Sequence, residues 1–304
     1  MFEKFEVGNA ILYCGDSLEI LDTLEEGSID ACVSDPPYAS ETFGGCTACK
    51  WDIPVNLTEF WRLMENKTKP QANVVLFCNM KLAYDLIDTN KKGFRYDLVW
   101  AKNNRVGFFN ANLMPLRAHE NILVFGRPGH QKTAVYNALK LPGTGKPRVN
   151  RVKAQKSGGV YSSQKAYTTV SDGTRKPHSV LAFDRDGNQT EHPTQKPLLL
   201  MYYLLKLYSN HGDVILDPFM GSCTTGEAAV ILGRRFIGIE KEKQYFEIAC
   251  QRLEEAYKRK YARYKPRRED PNYQDYQNYV KQTAPKLAVA NELVTEATVS
   301  LKKP

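Results

Sequence analysis

A chain of 304 residues can bury a sizeable core and fits one main domain with insertions. It has no run of about 18 apolar residues able to cross a bilayer, and its start, Met1-Phe2-Glu3-Lys4-Phe5, lacks the apolar stretch of a secretory signal. The net charge of +8 is uneven: residues 127–190 carry 12 Lys and Arg against 3 Asp, residues 256–304 carry 11 against 5 acids, and the remainder carries 19 against 26.

In chain order, the first strand is expected at Ile11–Cys14. Gly15-Asp16-Ser17 then opens a helix over Ser17–Leu24, with Asp16 a natural N-cap. A second apolar strand, Ile29–Ser34, ends in Asp35-Pro36-Pro37-Tyr38. Helices at Leu57–Met64 and Met80–Thr89 alternate with strands at Asn73–Cys78, Tyr96–Trp100 and Asn121–Phe125. Residues 127–190 break the pattern: no sustained period appears, and the stretch is too long for a simple connection. Regular alternation resumes with a helix at Pro197–Tyr208, a strand at Asp213–Asp217, a helix at Thr225–Leu232, a strand at Arg235–Ile239 and a helix at Glu242–Tyr261. Short apolar strands alternating with helices imply an α/β fold, a doubly wound and mostly parallel sheet of seven strands covered on both faces. Ligands of such sheets bind beyond the carboxyl ends of the strands. Asp35, Asp217 and Glu240 all follow strands, so one cleft can hold them.

Asp35-Pro36-Pro37-Tyr38 carries the first chemical signal. Prolines cannot continue a ladder, so the backbone leaves the sheet there. The stretch offers a carboxylate, carbonyls without competing N–H neighbours, and a ring. That set suits an exocyclic amino group on a flat heterocycle, although a rigid surface turn accounts for four such residues equally well. The second signal decides between them. Asp217-Pro218-Phe219-Met220-Gly221-Ser222-Cys223-Thr224-Thr225-Gly226 reads as the end of a strand, a small-residue turn and a helix start, and Glu240 closes the next strand. An acid after the second strand suits ribose hydroxyls in a nucleotide-binding sheet, although G-x-G-x-x-G is absent. Gly143-Thr144-Gly145-Lys146-Pro147 is not a phosphate loop, because Pro147 stands where Ser or Thr is needed.

Together, Asp35–Tyr38, His192-Pro193-Thr194-Gln195-Lys196-Pro197, the Asp217–Gly226 loop and Glu240 resemble the S-adenosylmethionine-dependent amino-methyltransferases of DNA. Their order, with the tetrapeptide first, a basic variable region next and the cofactor loop last, is similar to the permuted beta group. The resemblance spans roughly residues 10–255. It implies transfer of a methyl group to N6 of adenine in double-stranded DNA after base flipping, with Asp35, Pro36, Pro37 and Tyr38 catalytic. It implies S-adenosylmethionine held by Asp16, Asp35, Thr194, Lys196, Asp217, Phe219, Gly221, Ser222, Thr224 and Glu240, with Thr194 and Lys196 at the methionine carboxylate and Glu240 on the ribose. Trp100–Asn104 and His119–Asn121 are expected to line the base pocket on the same basis. Members of the permuted group often form dimers, so a homodimer is among the implied partners, although no segment marks a dimer surface.

The resemblance divides the chain into a catalytic half at 1–126, a target recognition region at 127–190, a cofactor-binding half at 191–255 and a basic helix end with a flexible tail at 256–304. Seven cysteines, an odd number set in apolar runs, suit reduced thiols and a cytoplasmic protein, and the resemblance implies a bacterial cell or a phage-infected host. Cys46-x-x-Cys49 lacks the partner pair that a zinc site requires, so no metal is expected. Two other readings stand. N4-cytosine methylation more often has Ser first in the tetrapeptide, and Ser34 only precedes Asp35. A DNA-binding homologue without activity is the other, because Cys223 occupies a place where the family's loop has glycine.

Overall fold

In the computed structural model, the described residues are 2–45, 52–130, 132–139, 146–154, 165–184 and 195–263, together with residue 277. The chain forms two compact units, one of residues 1–136 and 180–304 and the other of residues 137–179.

The larger unit is built on a nine-stranded sheet. Its strands are β1 (Glu3–Val7), β2 (Ala10–Cys14), β3 (Ile29–Ser34), β4 (Thr68–Cys78), β5 (Phe94–Val106), β6 (Arg117–Gly126), β9 (Val180–Ala182), β10 (Val214–Asp217) and β11 (Arg235–Glu240), in the order β1-β2-β11-β10-β3-β4-β6-β5-β9. The seven expected strands are all present. The two additions lie at the edges: β1 pairs antiparallel with β2, and β9 pairs parallel with β5. Both are short and only partly buried, and Val180–Ala182 offers three residues in a segment without period, so neither gives a sequence signal. The central strands β2, β11, β10, β3 and β4 run parallel, and β6 is antiparallel to both β4 and β5.

Helices α1 (Ser17–Thr23), α2 (Leu57–Lys67), α3 (Met80–Thr89), α4 (Leu198–Tyr208), α5 (Thr224–Ile231) and α6 (Lys243–Arg263) follow the strands. Polar caps start three of them: the side chains of Asp16, Asn56 and Asn79 accept backbone N–H groups of α1, α2 and α3. One core cluster packs Ile20, Leu21, Phe60, Trp61, Leu63 and Met64 of α1 and α2 against Cys32, Leu76, Leu123 and Leu216 of the sheet. No helix among the described residues is long and apolar enough to cross a membrane.

The smaller unit contains the antiparallel pair β7 (Arg148–Val152) and β8 (Tyr167–Ser171). It is narrower than the 127–190 segment that breaks the sequence pattern. The chain stays with the larger unit through Tyr136 and rejoins it at Val180, where β9 takes up the edge of the sheet.

Candidate active site

The parallel register brings the strand ends together. Leu216 of β10 lies beside Cys32 of β3, Asp217 beside Gly238, and Glu240 beside Cys14. Asp35, Asp217, Glu240 and Asp16 therefore leave the sheet at one end, on neighbouring strands about 4.8 Å apart. There they line a cavity of about 470 Å³ together with Pro36, Pro37, Tyr38, Lys196, Phe219, Gly221, Ser222 and Thr224. That volume lies within the range of small-molecule sites. Thr194 and His192 fall outside the described residues, as do Cys46 and Cys49.

At the end of β3, Ser34 donates to Asp217 Oδ1 at 2.5 Å, tying β3 to the strand before the turn. Asp35 follows with its two oxygens in different situations. Oδ2 pairs with the Lys196 ammonium, whereas Oδ1 is buried with no hydrogen-bond partner. Lys196 is 6% exposed, and its Nζ also lies 3.4 Å from Glu120 Oε2 and within 5.5 Å of the Tyr38 ring centroid. Tyr38 donates its hydroxyl to Glu120 Oε2 at 3.1 Å, and Lys102 pairs with Glu120 Oε1. Two carboxylates and two ammonium groups thus alternate in a buried chain, which is how buried charges are tolerated. Burial pushes the Asp35 carboxyl up, opposed by Lys196. Burial would also raise Glu120, but Lys196 and Lys102 outweigh it and hold that carboxyl at about 2. Lys196 is raised, its two carboxylate partners overcoming the effect of burial.

The turn after β10 forms the facing wall. Burial lifts the Asp217 carboxyl to about 6 against the hydrogen bonds it accepts from Ser34, Thr225 and the Phe219 N–H. Glu240 accepts the Gly221 N–H at 2.9 Å and the Glu242 N–H at 2.8 Å, so it holds the turn as well as facing the cavity. Gly221 sits at φ 51, which glycine adopts without penalty. Cys223, at φ 65, is the one non-glycine residue with positive φ among the described residues. Its side chain gives no cap to α5; the residue is buried, and burial raises its thiol well above the ordinary range. The cysteine standing where the family's loop has glycine is thus held in a left-handed conformation that strains a residue bearing a β-carbon.

Some placements differ from expectation. Lys196 addresses Asp35 and Glu120 within the tetrapeptide side of the cavity. Asp16 faces the cavity but also caps α1 through the Leu18 N–H at 3.0 Å, and its other oxygen lies 3.3 Å from Lys241. Of the two stretches expected to line a base pocket, Glu120 alone reaches the cavity. Trp100 is buried and donates to the Phe183 carbonyl, while His119 is exposed. The alternation along β6 points His119 and Glu120 to different faces. One residue missing from the sequence reading supports the turn: Arg252 of α6 donates to Thr224 Oγ1 at 2.8 Å and to Gln195 Oε1 at 2.7 Å. A charge on a long amphipathic helix carries no mark of such a role.

The model of the DNA methylase family designated N6_N4_Mtase matches residues 29–251. The chain is 28% identical over 259 residues to the type II methyltransferase M.HpaI of Haemophilus parainfluenzae, covering 80% of this chain and 74% of that protein. It is 29% identical over 266 residues to M.HinfI of Haemophilus influenzae, covering 79% and 67%. Among solved structures, the M1.HpyAVI–SAM complex superposes with a TM-score of 0.52 at 28% identity over 80% of this chain and 98% of that one. The PvuII cytosine-N4-specific DNA methyltransferase shares the fold, with a TM-score of 0.58 at 15% identity, covering 92% and 97%. With its family match running from the strand before the tetrapeptide into the last helix, the chain belongs to the N6/N4 DNA methylase family and is a DNA methyltransferase.

Proposed function

We propose that this methyltransferase transfers a methyl group from S-adenosylmethionine to N6 of adenine at a specific site in double-stranded DNA, on a base flipped out of the duplex. The observation that carries this reading is Asp35 Oδ1, buried and unpartnered in a cavity shared with Pro36, Tyr38, the turn after β10 and Glu240. An open buried acceptor costs free energy until a donor meets it. An exocyclic amino group brings two donors: one for Oδ1 and one for the Pro36 carbonyl, beside which Pro37 has no N–H. The amino nitrogen is a poor nucleophile because its lone pair is delocalised into the ring. Two acceptors draw it toward tetrahedral geometry while Tyr38 stacks on the base, so the catalysis is orientation and electrostatics. Burial, which raises the Asp35 carboxyl, suits it to take the proton that the alkylated nitrogen sheds.

The donor set on the facing wall fits the cofactor, which supplies an electrophilic methyl group when bound. Phe219, Gly221, Ser222 and Thr224 would surround its methionine and ribose, with Asp217 behind them, Glu240 on the ribose hydroxyls, Asp16 near the adenine and Thr194 at the methionine carboxylate. We assign Lys196 to holding Asp35, because two carboxylates already engage its ammonium. Adenine is preferred to cytosine because Asp leads the tetrapeptide. The order of motifs supports the permuted beta group, in which dimers are common. The basic 127–190 segment, which includes the compact 137–179 unit, is assigned to target recognition.

Nucleoside mass spectrometry of DNA from a methylation-deficient bacterial host expressing the chain tests this, with Asp35→Ala as control. N6-methyladenine that disappears in the variant is the expected result. N4-methylcytosine would transfer the same chemistry to the other base. Absence of any modified base from a folded, DNA-binding protein would overturn the activity and point to Cys223.

A further inference from the structure

The hairpin of β5 and β6 ends in a tip with no part in the chemistry above. Gly107, at φ 91, turns the chain into a single 3-10 turn at Phe108–Asn110. Phe108, Phe109, Leu113 and Met114 are 78%, 101%, 82% and 59% exposed. Scattered exposed apolar residues are ordinary, but large ones gathered at one protruding turn mark a contact surface. The same stretch is cationic: from Leu98 to His119 it contains Lys102, Arg105 and Arg117 and no Asp or Glu. Arg105 and Arg117 are exposed.

The tip is continuous with the active site. Val106 pairs with Arg117 at its base, Trp100 pairs with Glu120 further along the same ladder, and Glu120 accepts the Tyr38 hydroxyl. At about 3.3 Å per residue, Arg117 lies about 10 Å along β6 from Glu120. The hairpin therefore holds apolar and cationic side chains a few base steps from the pocket for the extruded base.

We propose that this tip is a wedge for duplex DNA: Phe108 and Phe109 enter the base stack where the target nucleotide leaves it, and Arg105 and Arg117 meet the flanking phosphates. The proposal rests on the base-flipping reading given above. Apolar side chains that unstack base steps are a general device of DNA-binding proteins, and aromatic rings stack on any base. An apolar turn whose exposed charged neighbours in the hairpin, Arg105 and Arg117, are both cationic fits a polyanion with stacked rings better than it fits a second copy of itself, which would bring like charges together.

The test compares wild type with Phe108→Ala/Phe109→Ala, after thermal midpoints and S-adenosylmethionine retention in equilibrium dialysis are matched. Wild type is first used to methylate unmodified plasmid DNA, and sequencing supplies the target site. Initial rates are then measured on two duplex oligonucleotides carrying that site, one fully paired and one with an abasic position opposite the target. The wedge predicts a loss on the paired duplex at least tenfold greater than the loss on the abasic one, where no pair holds the base in. Equal losses on both, or none on either, would overturn the wedge and leave the methyltransferase reading intact. A variant whose mass by light scattering is half that of wild type would overturn it in favour of a contact between copies. No methyl transfer by wild type to plasmid DNA would remove the underlying reading and the wedge with it.

Discussion

Asp35 has one oxygen engaged and one open, and Lys196 sets that asymmetry. The charged groups facing Asp35 are Lys196 and Glu120, with the Tyr38 hydroxyl beside them and the Asp217 carboxyl also within electrostatic reach. Burial and Glu120 raise the Asp35 carboxyl, whereas Lys196 lowers it. Lys196→Met therefore moves this carboxyl further up, and the group is protonated at pH values where the wild type is ionised. The acidic limb of the pH–rate profile is expected to shift to higher pH, with turnover at pH 7 reduced tenfold or more. Lys196→Arg keeps the charge and should restore most of the limb's position. A profile unchanged in Lys196→Met would mean that Asp35 does not depend on this partner.

Among the elements, the turn from β10 into α5 is the most constrained. Cys223 occupies the left-handed region, and its sulfur fills the space above Gly226: a Cβ on Gly226 would lie 2.4 Å from Cys223 Sγ and 2.7 Å from the Phe236 ring. Gly226→Ala is expected to cost about 1–3 kcal/mol through overpacking. The double variant with Cys223→Gly should recover part of the loss, since the Phe236 contact remains. A thermal-unfolding cycle of the four proteins measures this coupling, and strictly additive effects would refute it. Sequence alone locates this turn, because an apolar strand, small residues and a helix start are local signals. It also places Asp35, Asp217 and Glu240 at one sheet end, because strand termini and parallel order follow from hydrophobic pattern. The partners of Glu120 and Lys196 are not legible that way: their contacts join β3, β5, β6 and the segment before α4, and no local pattern records which charges meet across a sheet. The edge strands β1 and β9 escape for a related reason, being too short and too exposed to carry a period.

For the molecule as a whole, charge has a quantitative consequence. Arg148, Arg151 and Lys153 are exposed on and beside β7 in the smaller unit, within the most basic part of the sequence. If each neutralises one phosphate, changing all three to Gln lowers the slope of log affinity against log salt by about 0.9 per contact. Filter binding on unrelated duplexes across a salt series reads that slope, and an unchanged slope would remove these residues from the DNA interface.

Entry and exit of the 137–179 excursion are both fastened to the larger unit. Val135 donates to the Gln71 carbonyl at 3.0 Å and accepts from Asn73 at 2.7 Å, and the returning chain lies in register with β5 from Val180 to Ala182. A segment clamped at both ends can grow or shrink cheaply, at about 0.6 kcal/mol for each doubling of its length. Mutation can therefore rewrite, extend or replace what lies between Tyr136 and Val180 while the sheet that holds Asp35 and Glu240 stays still. On the proposed assignment of this segment to target recognition, that arrangement lets lineages diverge in the sequence they mark without renegotiating the chemistry they perform.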